Sequence, residues 1–173
     1  MTVALQAPPA AAALDFDALY RASRDDVYAY VATLLRDAGA AEDVTALAFE
    51  RAFRKRRSYD DRRGSERAWL FGIARNAALD ELRRRKRAAA LTAEPADVHA
   101  ALPEDDAELA LRRTAVRAAL ATLDPREREL VALKFHAGLS NAELATVLGV
   151  SVSNAGTQLH RAMTKLREAV EHA

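Results

Sequence analysis

The chain has 173 residues, 50% of them hydrophobic, and 26 Lys and Arg against 25 Asp and Glu give a net charge of +1. That is enough apolar material for one ordinary domain or two small ones, and it excludes a wholly unfolded chain. There is no cysteine, which excludes disulfides, thiolate zinc sites, iron–sulfur clusters and a cysteine nucleophile. No stretch approaches the roughly 18 uncharged apolar residues that span a bilayer, and the opening MTVALQAPPAAAA lacks a basic leader segment. The expectation is a soluble cytoplasmic protein with no membrane insertion.

The pattern is helical throughout: an all-α fold of two small helical domains joined by a flexible acidic linker, the second with a helix-turn-helix. Residues 1–13 read as a disordered tail. Between Leu14 and Ala38, Leu19, Tyr20, Val27, Tyr30, Val31, Leu34 and Leu35 follow the 3.6-residue helical period, with Gly39 placed as C-cap. A second helix is expected from Ala41 to about Arg57, with Glu42 and Asp43 in its first turn, where the helix dipole favours anions. Its apolar face is Val44, Ala48 and Ala52, with Phe49 and Phe53 beside it. Ser58 to Ser65 reads as a loop. A third helix from Glu66 to about Arg87 buries Leu70, Ile73, Ala77 and Leu82 and completes a first domain over residues 14–87.

Charge then changes abruptly. Residues 50–87 carry a net +8, whereas residues 88–111 hold six carboxylates and no Lys or Arg. With Pro95 and Pro103 and no apolar period, residues 88–104 read as a linker. The second domain, 105–173, opens with a helix from about Asp105 to Leu123. Asp124, Pro125 and Glu127 then form a cap, a first helical position and a capping-box partner. That helix carries Leu130, Val131 and Leu133 and stops at Gly138. Ser140 and Glu143 repeat the capping logic for a short helix to Leu148, and Gly149 to Ser151 turn into a last helix from Val152 to about Val170.

A short helix, a glycine turn and a longer helix are the helix-turn-helix pattern. In the last helix Ala155, Leu159, Ala162 and Leu166 form the inward stripe. Ser151, Ser153, Asn154, Thr157, Gln158, Arg161 and Lys165 remain on the outward side or at the helix start. These side chains suit a major groove: amides bond base edges, and Arg and Lys reach phosphate or guanine. The bland alternative is a solvated polar face. In the first domain, RAFRKRRSYDDRRG mixes seven Arg and Lys with Phe53 and Tyr59, a composition suited to opened nucleic acid through phosphate contacts and base stacking. Arg83 to Arg87 form a second basic cluster. Trp69 reads as core packing beside Leu70 and Ile73.

The stretch AEDVTALAFERAFRKRRSYDDRRGSERAWLFGIARNAALDELRRRKR resembles the second conserved region of extracytoplasmic-function sigma factors, the small bacterial RNA polymerase specificity subunits. LATLDPRERELVALKFHAGLSNAELATVLGVSVSNAGTQLHRAMTKLRE resembles their fourth region. The resemblance implies a promoter-specificity subunit that catalyses nothing and needs no cofactor or metal. Its implied partners are core RNA polymerase, through the β and β′ subunits, promoter DNA, and an anti-sigma factor. Glu42, Asp43, Thr45 and Phe49 would bind the polymerase clamp. Arg56, Arg57, Tyr59, Arg62, Arg63, Asn76, Arg83 and Arg84 would bind the −10 element, with Tyr59 to Ser65 capturing a flipped base. Ser151, Ser153, Asn154, Thr157, Gln158, Arg161 and Lys165 would read the −35 element.

The sequence departs from the family pattern at Ala46 and Leu47, where a Gln and an acidic residue are usual, and at Gly156 and Gln158, where Lys and Arg are common. Weaker contacts with polymerase and phosphate are expected there. A polymerase-independent helix-turn-helix regulator is the alternative reading. An enzyme is disfavoured, because the histidines His99, His136, His160 and His172 are scattered and the dense carboxylates lie in and beside the linker.

Overall fold

The computed structural model describes residues 14–91 and 107–172. The expected tail and residues 92–104 of the expected linker lie outside the described residues. In order, the helices are α1 (Phe16–Leu35), α2 (Ala38–Lys55), α3 (Glu66–Leu91), α4 (Ala107–Ala121), α5 (Pro125–Ala132), α6 (Asn141–Leu148) and α7 (Val152–Glu171). Two 3-10 turns, Arg56–Ser58 and Asp61–Arg63, lie between α2 and α3, and α5 runs on into a π turn, Leu133–Ala137.

Local capping explains most of the boundaries. The Asp15 carboxylate accepts from the Ala18 amide at 3.0 Å and starts α1. At the other end Gly39 is not the cap. Arg36 takes the left-handed conformation (φ 54°), and its amide donates to the Ala32 carbonyl at 2.8 Å. The reason is Asp37, whose carboxylate accepts from the Ala40 amide at 3.1 Å and starts α2 three residues earlier than expected. Glu42 and Asp43 consequently sit beyond the first turn, which holds no acidic side chain. The third helix is also longer than expected and continues through Ala88–Leu91.

The two capping boxes form as expected. Asp124 accepts from the amides of Arg126 and Glu127 at 2.9 Å, and Glu127 returns a bond to the Asp124 amide at 3.1 Å. Ser140 and Glu143 reciprocate in the same way at 3.2 and 2.9 Å. Gly138 (φ 65°) and Gly149 (φ 69°) hold the left-handed positions that end the π turn and α6, where a side chain would be strained.

Helices α1, α2 and α3 pack around Val27, Tyr30, Val31, Val44, Ala48, Ala52, Leu70 and Phe71. The alanines at 48, 52, 74, 77 and 78 are buried and bring the backbones close. The same core continues into the second helical region through Leu133, Ala137, Leu139, Leu144, Ala145 and Ala155. A smaller cluster of Leu123, Val131 and Ala162, flanked by Leu120, Met163 and Leu166, joins α4, α5 and α7.

A carboxylate is buried at the junction. Glu129 of α5, 7% exposed, accepts from Arg75 Nε of α3 at 2.6 Å and from the Tyr30 hydroxyl of α1 at 3.2 Å. Burial, reinforced by the Glu129 carboxylate, pushes the Tyr30 phenol well above its ordinary range, so it remains a donor.

At the end of α3, Glu81 accepts from Arg84 Nε and Nη2 at 2.7 Å and from Arg85 Nε at 2.8 Å. Arg85 also reaches Asp37 at 2.8 Å and so ties α3 to the turn between α1 and α2. The hydrogen bond from Arg84, aided by Arg85, lowers the Glu81 carboxyl from 4.5 to about 2. Its folded value lies below its unfolded one, so its contribution to stability is complete above about pH 4.5 and is lost as pH falls toward 2. Glu81→Gln should therefore narrow the difference in urea midpoint between about pH 5 and pH 2.5; an unchanged difference would show that Glu81 does not drive acid unfolding.

Candidate polymerase and nucleic-acid interfaces

On α2, Glu42 and Asp43 are exposed, whereas Thr45 and Phe49 are buried. The Phe49 ring packs edge-on against Tyr20 and Phe16, with centroids 4.8 and 6.4 Å away. Phe16 also meets Phe53, whose face carries the Arg56 guanidinium at 3.9 Å. Tyr20, Tyr28, Glu42, Thr45, Ala46 and Phe49 line an open groove of about 680 Å³. The buried Thr45 hydroxyl in this groove has no hydrogen-bond partner among the described residues. Ala46 and Leu47 are exposed. The α2 surface thus borders an open groove in which Arg24, Asp25 and Glu42 surround aromatic and small side chains.

The loop after α2 is built before any ligand arrives. The Tyr59 hydroxyl donates to the Gly64 carbonyl at 3.1 Å, and its ring meets Trp69 edge-on at 5.6 Å. Trp69 is only partly buried, so it packs on the core cluster and also joins the loop. Asp60 accepts from the Arg62 amide at 3.1 Å and from both arms of its guanidinium at 2.9 and 3.0 Å. Those bonds, chiefly from the Arg62 side chain, hold the Asp60 carboxyl below its ordinary value. Ser65 caps α3 through the Ala68 amide at 3.2 Å.

Trp69 and Asn76 lie seven residues apart on one face of α3, with Gly72 between them. A Cβ added at Gly72 would meet nothing within 4 Å. Asn76 is exposed. The result is an open shelf with an aromatic edge at one end and an amide at the other.

The basic residues divide into two groups. Arg62 pairs with Asp60, Arg54 with Glu50, Arg83 with Asp80, and Arg84 with Glu81. Among the described residues, no carboxylate pairs with Arg57, Arg63, Lys86 or Arg87. Exposed pairs of this kind hold weakly in water, so phosphates can displace their carboxylates.

On α7, Ser153, Asn154, Thr157 and Arg161 are exposed and Gln158 is half-buried. Gln158 Nε2 donates to Asn154 Oδ1 at 2.8 Å, which aligns the two amides. Two expected reading residues are already engaged: Ser151 caps α7 through the Asn154 amide at 3.2 Å, and Lys165 bonds Glu127 of α5. Gly156 faces α6, where an added Cβ would stand 3.5 Å from Asn141 Nδ2. His160 is exposed.

Sequence reasoning missed Arg67, Arg75 and Glu129. The first two are single arginines on α3, and nothing in their spacing separates an arginine that binds an internal acceptor from one that faces solvent. Among the described residues no cluster of His, Asp and Glu could hold a metal ion, and no helix is long and apolar enough to cross a membrane.

Residues 19–88 match Sigma-70 region 2, and residues 113–166 match Sigma-70, region 4. The ECF RNA polymerase sigma factor SigL of Mycobacterium tuberculosis is 33% identical over 156 residues, covering 87% of this chain and 88% of SigL. The chain belongs to the extracytoplasmic-function sigma factors. BldN of Streptomyces coelicolor, of the same description, is 34% identical over 154 residues, 87% of this chain and 58% of BldN. In fold, this sigma factor is similar to RpoE from Bartonella quintana, solved in complex with the anti-sigma factor NepR. The TM-score is 0.79 at 24% identity, over 91% of this chain and 97% of that one. CnrH, solved with the cytosolic domain of CnrY, gives 0.65 at 24% identity, over 91% and 88%. Sigma factors are initiation factors and not enzymes, and the family assignment does not favour a polymerase-independent regulator.

The unpaired Thr45 hydroxyl should cost folding energy. Thr45→Val keeps the shape and removes the stranded polar atom, so stability should rise by about 1 kcal/mol; a fall in the urea midpoint would show that the hydroxyl is satisfied.

Proposed function

We propose that this sigma factor divides promoter recognition among three surfaces. The α2 groove with Glu42, Asp43, Thr45 and Phe49 takes the polymerase clamp. The loop Tyr59 to Ser65, the α3 shelf with Asn76, and Arg56, Arg57, Arg62, Arg63, Arg83 and Arg84 take the opened −10 strand. The α7 face, with Ser151, Ser153, Asn154, Thr157, Gln158, Arg161 and Lys165, reads the −35 duplex about two helical turns upstream. By this reading the units are 14–87 for polymerase and −10 binding, 88–104 as linker, and 105–173 for −35 binding. The cytoplasm, where polymerase works, is the site of action.

The observation that carries the reading is the joint presence of two chemically different nucleic-acid surfaces. One is a polar helix face with paired amides, suited to intact base pairs. The other is an aromatic, cationic loop beside an exposed amide, suited to an unstacked base. A duplex-only regulator needs the first and has no use for the second.

Control by an anti-sigma protein fits a third feature. A largely apolar groove of about 640 Å³ lies between α1, the start of α2 and α4, lined by Tyr28, Ala32, Ala118 and Leu120 with Arg36 and Arg128 at its edge. The RpoE and CnrH structures were solved with such proteins bound.

The test is transcription from fragmented genomic DNA of the source organism by sigma-free core polymerase, with and without this chain, mapping 5′ ends. New starts sharing two upstream motifs at fixed separation are expected; none, from folded protein and active core, would overturn the reading. On a promoter so found, Asn76→Ala should impair strand opening and leave core binding intact. Gln158→Arg should raise affinity for the −35 duplex and steepen its salt dependence; equal affinity would place α7 away from the backbone.

A further inference from the structure

The loop after α2 carries a hydroxyl that starts no helix. Ser58 is exposed and ends the short 3-10 turn Arg56–Ser58. Its Oγ donates to the Lys55 carbonyl at 2.7 Å, the one bond it makes among the described residues. At Tyr59 the backbone becomes extended (φ −64°, ψ 134°), the form in which peptide segments enter a binding cleft. Three other exposed serines are engaged instead. Ser65, Ser140 and Ser151 accept from the Ala68, Glu143 and Asn154 amides and so start α3, α6 and α7.

The flanks of Ser58 are equally distinctive. Arg54, Lys55, Arg56 and Arg57 precede it without a break, and Tyr59 follows. A basophilic protein kinase selects its hydroxyl by pairing its own carboxylates with cations two and three residues upstream, where Arg56 and Lys55 stand. Arg62, Arg63 and Gly64 give Ser65 similar flanks. That serine, however, both caps α3 and donates to Glu143 on α6, whose carboxylate repels an incoming phosphoryl group.

We propose that Ser58 is a phosphorylation site for a basophilic serine/threonine kinase, and that its phosphate occupies the arginines that would otherwise hold the opened −10 strand. The second half rests on the promoter reading above. In the transfer, Ser58 Oγ bonds to the γ-phosphorus of a nucleoside triphosphate as the bond from that phosphorus to the bridging oxygen breaks. The nucleoside diphosphate leaves, and the hydroxyl proton passes to the base of the kinase.

The consequence follows from charge. Residues 54–63 hold six Lys and Arg and two Asp, a net +4, and a phosphoserine brings nearly −2 at neutral pH. Arg57 and Arg63, which pair with no carboxylate among the described residues, are free to take its oxygens. Arg67 is not, because it donates to the His136 and Ala137 carbonyls and to Asp26, at 2.9 Å each. Each phosphate contact on a single strand contributes about 0.7 to the salt slope. Losing about two lowers that slope by about 1.4 and the affinity about tenfold near 0.15 M salt.

The site is tested by incubating the full chain with the catalytic subunit of cyclic-AMP-dependent protein kinase and Mg-ATP, followed by tandem mass spectrometry. One phosphate on Ser58, absent from Ser58→Ala, is expected. No phosphate on the folded chain, or phosphate placed on Ser65 instead, would overturn the assignment.

The consequence is tested with core polymerase carrying the phosphorylated or the unmodified chain, on a −10 probe with a pre-opened strand. Phosphorylation should weaken binding about tenfold and flatten its salt dependence, and phosphatase treatment should restore both. Affinity for core polymerase and for the −35 duplex should not change, and Ser58→Ala should bind the opened strand like the parent. Equal binding by the phosphorylated chain, or an equal loss at the −35 duplex, would contradict a local blockade of the loop. Failure of the unmodified complex to hold the opened strand would remove the promoter reading and this consequence with it, whereas the mass spectrum decides the modification site by itself.

Discussion

A carboxylate buried among helices must be enclosed by donors or it will not remain there, and Glu129 meets this condition with groups from two other helices. Arg75 supplies the charge and Tyr30 the hydroxyl, so α1, α3 and α5 share one fixed register. That register places the π turn over Arg67 and brings Ser65 to Glu143. Much of the geometry between the loop and the helix-turn-helix follows from this single enclosure. The capping box at Asp124 contributes by setting where α5 begins, and hence which of its turns presents position 129 inward.

The surface shows a second economy. Arg54, Arg83 and Arg84 each hold a carboxylate three or four residues away, which offsets part of the positive charge near the loop and along α3 in the absence of DNA. Such pairs are weak enough for phosphate to replace. Arg67, Arg75 and Arg85 are different: their partners are far in sequence and partly shielded, and they act as struts. The same residue type thus performs two kinds of work, separated by burial.

This division also explains what could be read from the sequence. The capping boxes at Asp124 and Ser140, the glycine ends at 138 and 149, and the inward stripe of α7 were legible because each depends on residues within one or two turns. The cap at Gly39 was misplaced because Asp37, steadied by Arg85 almost fifty residues later, begins α2 early and leaves Arg36 to take the left-handed position. Phe71, ambiguous beside Trp69 in the sequence, is core because α3 is buried on more than one side, with Phe71 and Ala78 as inaccessible as Leu70. Sequence patterns marked the α2 motif but not its depth: Thr45 and Phe49 are buried, whereas Glu42 and Asp43 are exposed. The contact between Arg75 and Glu129 spans 54 residues, beyond the reach of any periodicity.

Promoter recognition as proposed requires one chain to engage intact duplex with α7 and opened strand with the loop and α3. Footprinting of core polymerase carrying this chain, on a promoter with mapped starts, tests it most directly by combining backbone protection with permanganate reactivity of unpaired thymines. The predicted result is two protected patches about two helical turns apart, with reactive thymines only around the downstream patch and only when polymerase is present. Protection of a single duplex site by the chain alone, with no reactive thymines, would contradict it.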